Sequence, residues 1–127
     1  MPDRTVVKVD SLPPPGIPAV RAIKSAGLVF VSGTPAPRKA DGTMDPDIRV
    51  QVRTCLETID TILKEAGSAL TNAVSVTTFL KDVSVFEAYN EEYRKFFPVD
   101  PPTRTTVKAD LVRDDMLVEI TVIAAQG

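Results

Sequence analysis

Apolar residues recur every three or four positions between Ile48 and Leu63, and elsewhere fall into short alternating or continuous runs. The first pattern, Ile48, Val52, Cys55, Leu56, Ile59, Ile62 and Leu63, draws a single stripe along a helix. Pro46-Asp47 leads into it, and Gly67 lies where a helix end favours a left-handed residue. A second helix is predicted from Ser84-Val85-Phe86-Glu87, a capping-box pattern. Its stripe is Phe86, Tyr89, Tyr93, Phe96 and Phe97, and Pro98 stops it. Aromatic residues at this spacing read as core, and Asn90, just off the stripe, is placed for a polar contact.

The remaining apolar runs read as strands. Thr5 to Val9 alternates weakly, as an edge strand does. Val20 to Ser25 and Leu28 to Ser32 form a hairpin across Ala26-Gly27. Ala73 to Leu80 is β-branched, and two further strands follow Pro102 and Met116. Ser11 to Pro18 is too rich in proline for regular structure and reads as a packed loop, with a proline-recognition ligand as the functional alternative. Thr34 to Pro46, with three prolines and Asp41-Gly42, is a loop. Strands, helix, strand, helix and two strands make an α+β domain with both helices on one face of a mixed or antiparallel sheet. In the last strand Val118, Ile120 and Val122 stand opposite Leu117 and Ile123, so both of its faces are expected to be covered.

A chain of 127 residues supports one domain, 1–127, with a modest core. A net charge of −2 offers no electrostatic footprint for nucleic acid, and no apolar run is long enough to span a bilayer. The single cysteine, Cys55, cannot form an internal disulfide, which fits a reducing, cytoplasmic home; its place on the helical stripe makes it core filler. With no histidine, neither a transition-metal site nor a Ser-His or Cys-His pair is expected. The six glycines form no phosphate loop or dinucleotide fingerprint. Chemistry is left to carboxylates, arginine, hydroxyls, backbone groups and water.

Two charges then stand out. Arg104 sits in the strand Thr103-Arg104-Thr105-Thr106-Val107, and Glu119 in Leu117-Val118-Glu119-Ile120-Thr121. A guanidinium in such a run needs a partner, and its planar fork suits a carboxylate. A glutamate can move protons to and from bound water. The bland alternative is that the two pair with each other or lie on a solvated sheet face.

Taken in order with Leu28-Val29-Phe30-Val31-Ser32-Gly33, Glu65-Ala66-Gly67-Ser68, the strand Val76 to Asp82 and the helix Phe86 to Tyr93, these strands resemble the Rid family, also called YjgF. Its active members are reactive-intermediate deaminases. The resemblance runs from Ala22 to Ala124. It implies a chorismate-mutase-like α+β fold, a homotrimer with a site in each subunit cleft, and catalysis without metal or cofactor. It also implies that Arg104 grips the carboxylate of a 2-imino acid while Glu119 activates water at the imine carbon and assists departure of ammonia. Asn90, Ser32 and Gly33 match positions lining the same pocket, and Thr106 stands where many members carry cysteine.

One stretch departs from the pattern. Many active members have Gly-Pro-Tyr-Ser-Gln where this chain has Ile17-Pro18-Ala19-Val20-Arg21. Ala19 removes a phenol and Arg21 adds a charge. A wider, more basic pocket would suit a dicarboxylic enamine such as 2-aminomuconate; a loss of activity would leave a ligand- or partner-binding module. Some family members are described as ribonucleases or translation inhibitors, for which the acidic balance and missing histidine give no support. A separate reading takes Pro2 as the N-terminal amine base of a tautomerase, although Asp3-Arg4 is a poor start for a buried strand.

Overall fold

The computed structural model describes residues 3–127. Six strands, β1 (Thr5–Val7), β2 (Ala22–Ser25), β3 (Leu28–Pro35), β4 (Ala73–Leu80), β5 (Thr103–Lys108) and β6 (Val118–Ala125), form one sheet in the order β1-β2-β3-β6-β4-β5. Every pairing is antiparallel except β4 with β5. Two helices, α1 (Ile48–Glu65) and α2 (Phe86–Phe96), lie on one face. The parallel pair exists because α2 is the crossover between β4 and β5, as a parallel connection requires.

The apolar stripe of α1 is buried from its second position on: Val52, Cys55, Leu56, Ile59, Ile62 and Leu63 pack onto Val29, Val31, Val118, Ile120, Val122 and Val76 of the sheet, with Ile48 half-buried at its start. Asp47 caps the helix by accepting from Arg49 N at 2.8 Å. At the other end Gly67 N donates to Lys64 O at 3.0 Å and Ser68 N to Leu63 O at 2.8 Å, with Gly67 at φ +81°. These two bonds are the Schellman arrangement anticipated for that glycine. The start of α2 differs from the capping box expected at Ser84. Asp82 accepts from Ser84 N at 2.8 Å and opens a 3-10 turn over Val83–Val85, so α2 begins at Phe86 with no side-chain cap. Asp82 wins because its carboxylate already holds the donor that a helix starting at Ser84 would need.

The β2–β3 hairpin turns through Ala26 (φ +54°) and Gly27 (φ +76°). Two consecutive left-handed residues fit the right-handed strand twist, but alanine is a poor occupant of the first. Ala26→Asn is expected to stabilise the protein by about 0.5–1 kcal/mol, read as a higher denaturant midpoint with an unchanged slope.

The second face of the sheet carries apolar residues that this chain does not cover. Val6, Phe30 and Val107 are exposed, and Phe79 and Ile123 only half-buried. The expectation that both faces of β6 are covered is met within the chain on the helix face alone.

Candidate active site at the edge strand

β5 is the outermost strand, and its register decides where Arg104 points. Arg104 pairs with Val76, which is buried beneath the helices, so the arginine side chain rises on the helix face. There it meets α2. Its guanidinium carbon lies 5.0 Å from the Tyr93 ring centre, 5.2 Å from Tyr89 and 5.8 Å from Phe86. Residues 86, 89 and 93 follow helical spacing, so one helix face offers three ring surfaces to a single cation. Nη1 donates to Asn90 Oδ1 at 2.8 Å. An exposed guanidinium is thereby held in one orientation, with its other N–H groups turned to the surroundings.

Those surroundings include a hollow of about 300 Å³ walled by Asn90, Tyr93, Phe97, Pro101, Pro102 and Arg104. Burial pushes the Tyr93 phenol up to about 12, so it stays neutral. The Tyr89 phenol, raised chiefly by burial as well, shares a hydrogen bond of 2.7 Å with Thr78 Oγ1, which ties α2 to β4.

Glu119 lies elsewhere. It pairs with Phe79, three residues along β4 from Val76, and an odd separation on a strand means the opposite face. The glutamate carboxylate leans over the β3 bulge, where register shifts between Val31 and Thr34. A Cβ at position 33 would overlap Glu119 Oε2 and stand 3.2 Å from its Cδ. Gly33 is thus the vacancy that the carboxylate occupies. Within one chain Arg104 with Asn90 and Glu119 with Gly33 form two separate groups on opposite faces of the sheet.

The family model described as endoribonuclease L-PSP matches residues 10–126. The chain belongs to the Rid (YjgF) family. It is 35% identical over 122 residues to the 3-aminoacrylate deaminase RutC of Acinetobacter baylyi, covering 95% of this chain and 97% of that one. A RutC family protein of Sulfurisphaera tokodaii is likewise 35% identical, over 95% of this chain and 98% of its own. Among solved structures, yeast Mmf1 superposes with a TM-score of 0.89 at 28% identity, covering 98% of this chain and 100% of that one.

The other positions taken from the Rid resemblance point in several directions. Ser32 Oγ donates to Val20 O at 2.5 Å, which pins the segment before β2. Thr106 shares the helix face with Arg104 but lines a different hollow, with Leu80, Val83 and Phe86. Ala19 and Arg21 wall a third hollow, of about 390 Å³, against the proline loop, where Arg21 Nη2 donates to Pro13 O at 2.5 Å. That guanidinium braces the loop. Cys55 is fully buried with Sγ against Thr34 O at 3.0 Å, and burial pushes its thiol far up, so it is no nucleophile. Among the described residues no cluster of metal ligands forms, and no helix is long and apolar enough to cross a membrane. Pro2, the tautomerase candidate, lies outside the described residues.

Sequence reasoning assigned Tyr93 and Phe97 to the core and passed over Pro101 and Pro102. The first two are buried, yet both line the hollow. The available signal was the arginine itself, since a cation this close to an aromatic stripe makes that stripe part of its site.

Proposed function

We propose that the protein is a cofactor-independent deaminase that hydrolyses a 2-imino carboxylic acid, or its enamine tautomer, to the 2-oxo acid and ammonia. The observation that carries this reading is the orientation of Arg104, set over three aromatic rings and anchored by Asn90, with no other side-chain hydrogen bond among the described residues. Such a fork takes a carboxylate bidentately. The similarity to a 3-aminoacrylate deaminase agrees with a substrate that joins a carboxylate to an enamine.

Glu119 supplies the acid–base step in this proposal. Its carboxylate takes one proton from water as the oxygen adds to the imine carbon and the C=N bond becomes single. That proton passes to nitrogen, giving an amino alcohol. The hydroxyl's proton then moves through the same carboxylate to the amine as C=O forms and the C–N bond breaks, and ammonia leaves. Since Arg104 and Glu119 occupy opposite sheet faces, they act on one substrate only across an interface, with Glu119 of one copy facing Arg104 of another. The uncovered apolar face bearing Phe30, Phe79 and Ile123 favours such an assembly, expected to be a homotrimer.

The test is ammonia release from 2-aminoacrylate and 2-iminobutanoate generated in situ. Saturable acceleration over the buffer rate is the expected outcome. No acceleration with either compound, from protein shown to be folded, overturns the reading and leaves a ligand-binding role.

A further inference from the structure

Glu119 stands where the sheet by itself holds it least well. It is the second residue of β6, and its partner on β3 is Pro35, which has no N–H to give to the ladder. The β3 bulge lies just beyond, between Val31 and Thr34. Strand ends open more readily than strand centres, whereas a working carboxylate needs a closely fixed position.

α1 braces this region from the other side of the sheet. Gln51 is a fully buried amide on a helix face otherwise built of Val52, Cys55, Leu56 and Ile59. Packing alone asks for an apolar residue there, and burying an amide is unfavourable unless its hydrogen bonds are met. Main-chain groups meet all of them. Nε2 donates to Asp45 O at 2.8 Å and to Asp115 O at 3.0 Å, and Oε1 accepts from Leu117 N at 2.9 Å. Leu117 O in turn accepts from Lys81 N at 3.0 Å, so both polar groups of the residue two before Glu119 are tied. The ion pair of Arg38 with Asp115 holds the same loop but lies at the surface, where such pairs contribute little.

One helical turn along, Cys55 Sγ donates to Thr34 O at 3.0 Å, and Thr34 Oγ1 donates to Ser32 O at 2.8 Å across Gly33. Gln51 therefore braces the strand that carries the carboxylate, and Cys55 braces the bulge over which it rests. Gln51, Cys55 and Thr34 are all buried within one chain, so these bonds do not depend on what a second copy adds to the site.

We infer that Gln51 and Cys55 are positioning residues that seat the Glu119 carboxylate through the main chain of β6 and β3. This role presupposes the proposed function, in which Glu119 is the acid–base group. Neither side chain reaches the substrate, so their loss should appear in kcat and leave KM nearly unchanged.

The test is a mutant cycle read by steady-state ammonia release from 2-iminobutanoate. Gln51→Met, which keeps the length of the side chain, should lower kcat about ten- to a hundredfold, the scale of a small misplacement of a reacting group. Cys55→Ala should lower it by less, and Cys55→Ser, which keeps a donor, should restore most of that loss. In the Glu119→Gln background the same replacements should change the residual rate by less than about twofold, because the group they position is already gone. Residues that only stabilise the fold would act by one factor in both backgrounds. Gln51→Met leaves a buried N–H and two carbonyls without partners, so folding is verified by circular dichroism; should it fail to fold, the milder Cys55 variants carry the cycle. Equal factors in the two backgrounds, or a loss confined to KM, overturns the positioning role and leaves the proposed function standing. A wild type that releases ammonia no faster than buffer removes the proposed function and this role with it.

Discussion

Arg104→Ala is expected to lower kcat/KM for 2-iminobutanoate by roughly 30- to 1,000-fold, the equivalent of about 2–4 kcal/mol lost from the transition state. The size follows from what the side chain does. Arg104 is not a buried structural cation: it lies on an edge strand, exposed, and its contacts with the protein are three ring faces and one amide oxygen. Contacts of that kind at an exposed position are worth about 0.5–1 kcal/mol. The stability of the variant should therefore change little, while the carboxylate loses its grip entirely. Arg104→Lys keeps the charge and loses the fork, so it should fall between wild type and alanine. Steady-state ammonia release with chemical denaturation run in parallel decides the matter, and full activity in the alanine variant refutes the assignment. Asn90→Ala should lower the rate less and through KM, since it frees the guanidinium to turn without removing it.

Much of this architecture can be read from residue order. The stripe of α1 is unambiguous because seven apolar positions keep one helical face over the whole segment, and Gly67 marks its end by a conformation that other residues adopt at a cost. The hairpin at Ala26-Gly27 and the β4 strand follow from composition alone. The start of α2 was less legible, because Asp82 and Ser84 each offer an acceptor suited to capping and only three-dimensional competition selects Asp82. The candidate site was legible as a set of residues and illegible as an arrangement. Period-two spacing says that Arg104 shares a face with Thr106, and Glu119 with Thr121. It cannot say which face of the sheet either pair takes. That is fixed by long-range register, Arg104 opposite Val76 and Glu119 opposite Phe79. Gly33 is a similar case: its place in a strand is readable, but the reason that no side chain fits there is a carboxylate from a strand some ninety residues away.

Glu119→Gln should lower kcat by about 10²–10⁴-fold, the range typical of a general acid–base residue, with substrate binding largely kept. Gly33→Ala, which leaves every charge in place, should also reduce kcat, because its methyl group would occupy the space where the Glu119 carboxylate lies. The opposite-face geometry yields a stricter test than either variant alone. In a closed ring of three in which each site takes Arg104 from one copy and Glu119 from the next, random mixing of the Arg104→Ala and Glu119→Gln chains leaves about a quarter of sites with both residues intact. Co-expression with distinct tags, followed by purification through both, should then recover activity well above the residual rate of either parent. Hybrids that stay at the parental level, with mixed assembly verified by mass, would mean that the two residues do not meet across an interface. Glu119 would then lose its catalytic role, because within one chain the sheet itself stands between its carboxylate and Arg104.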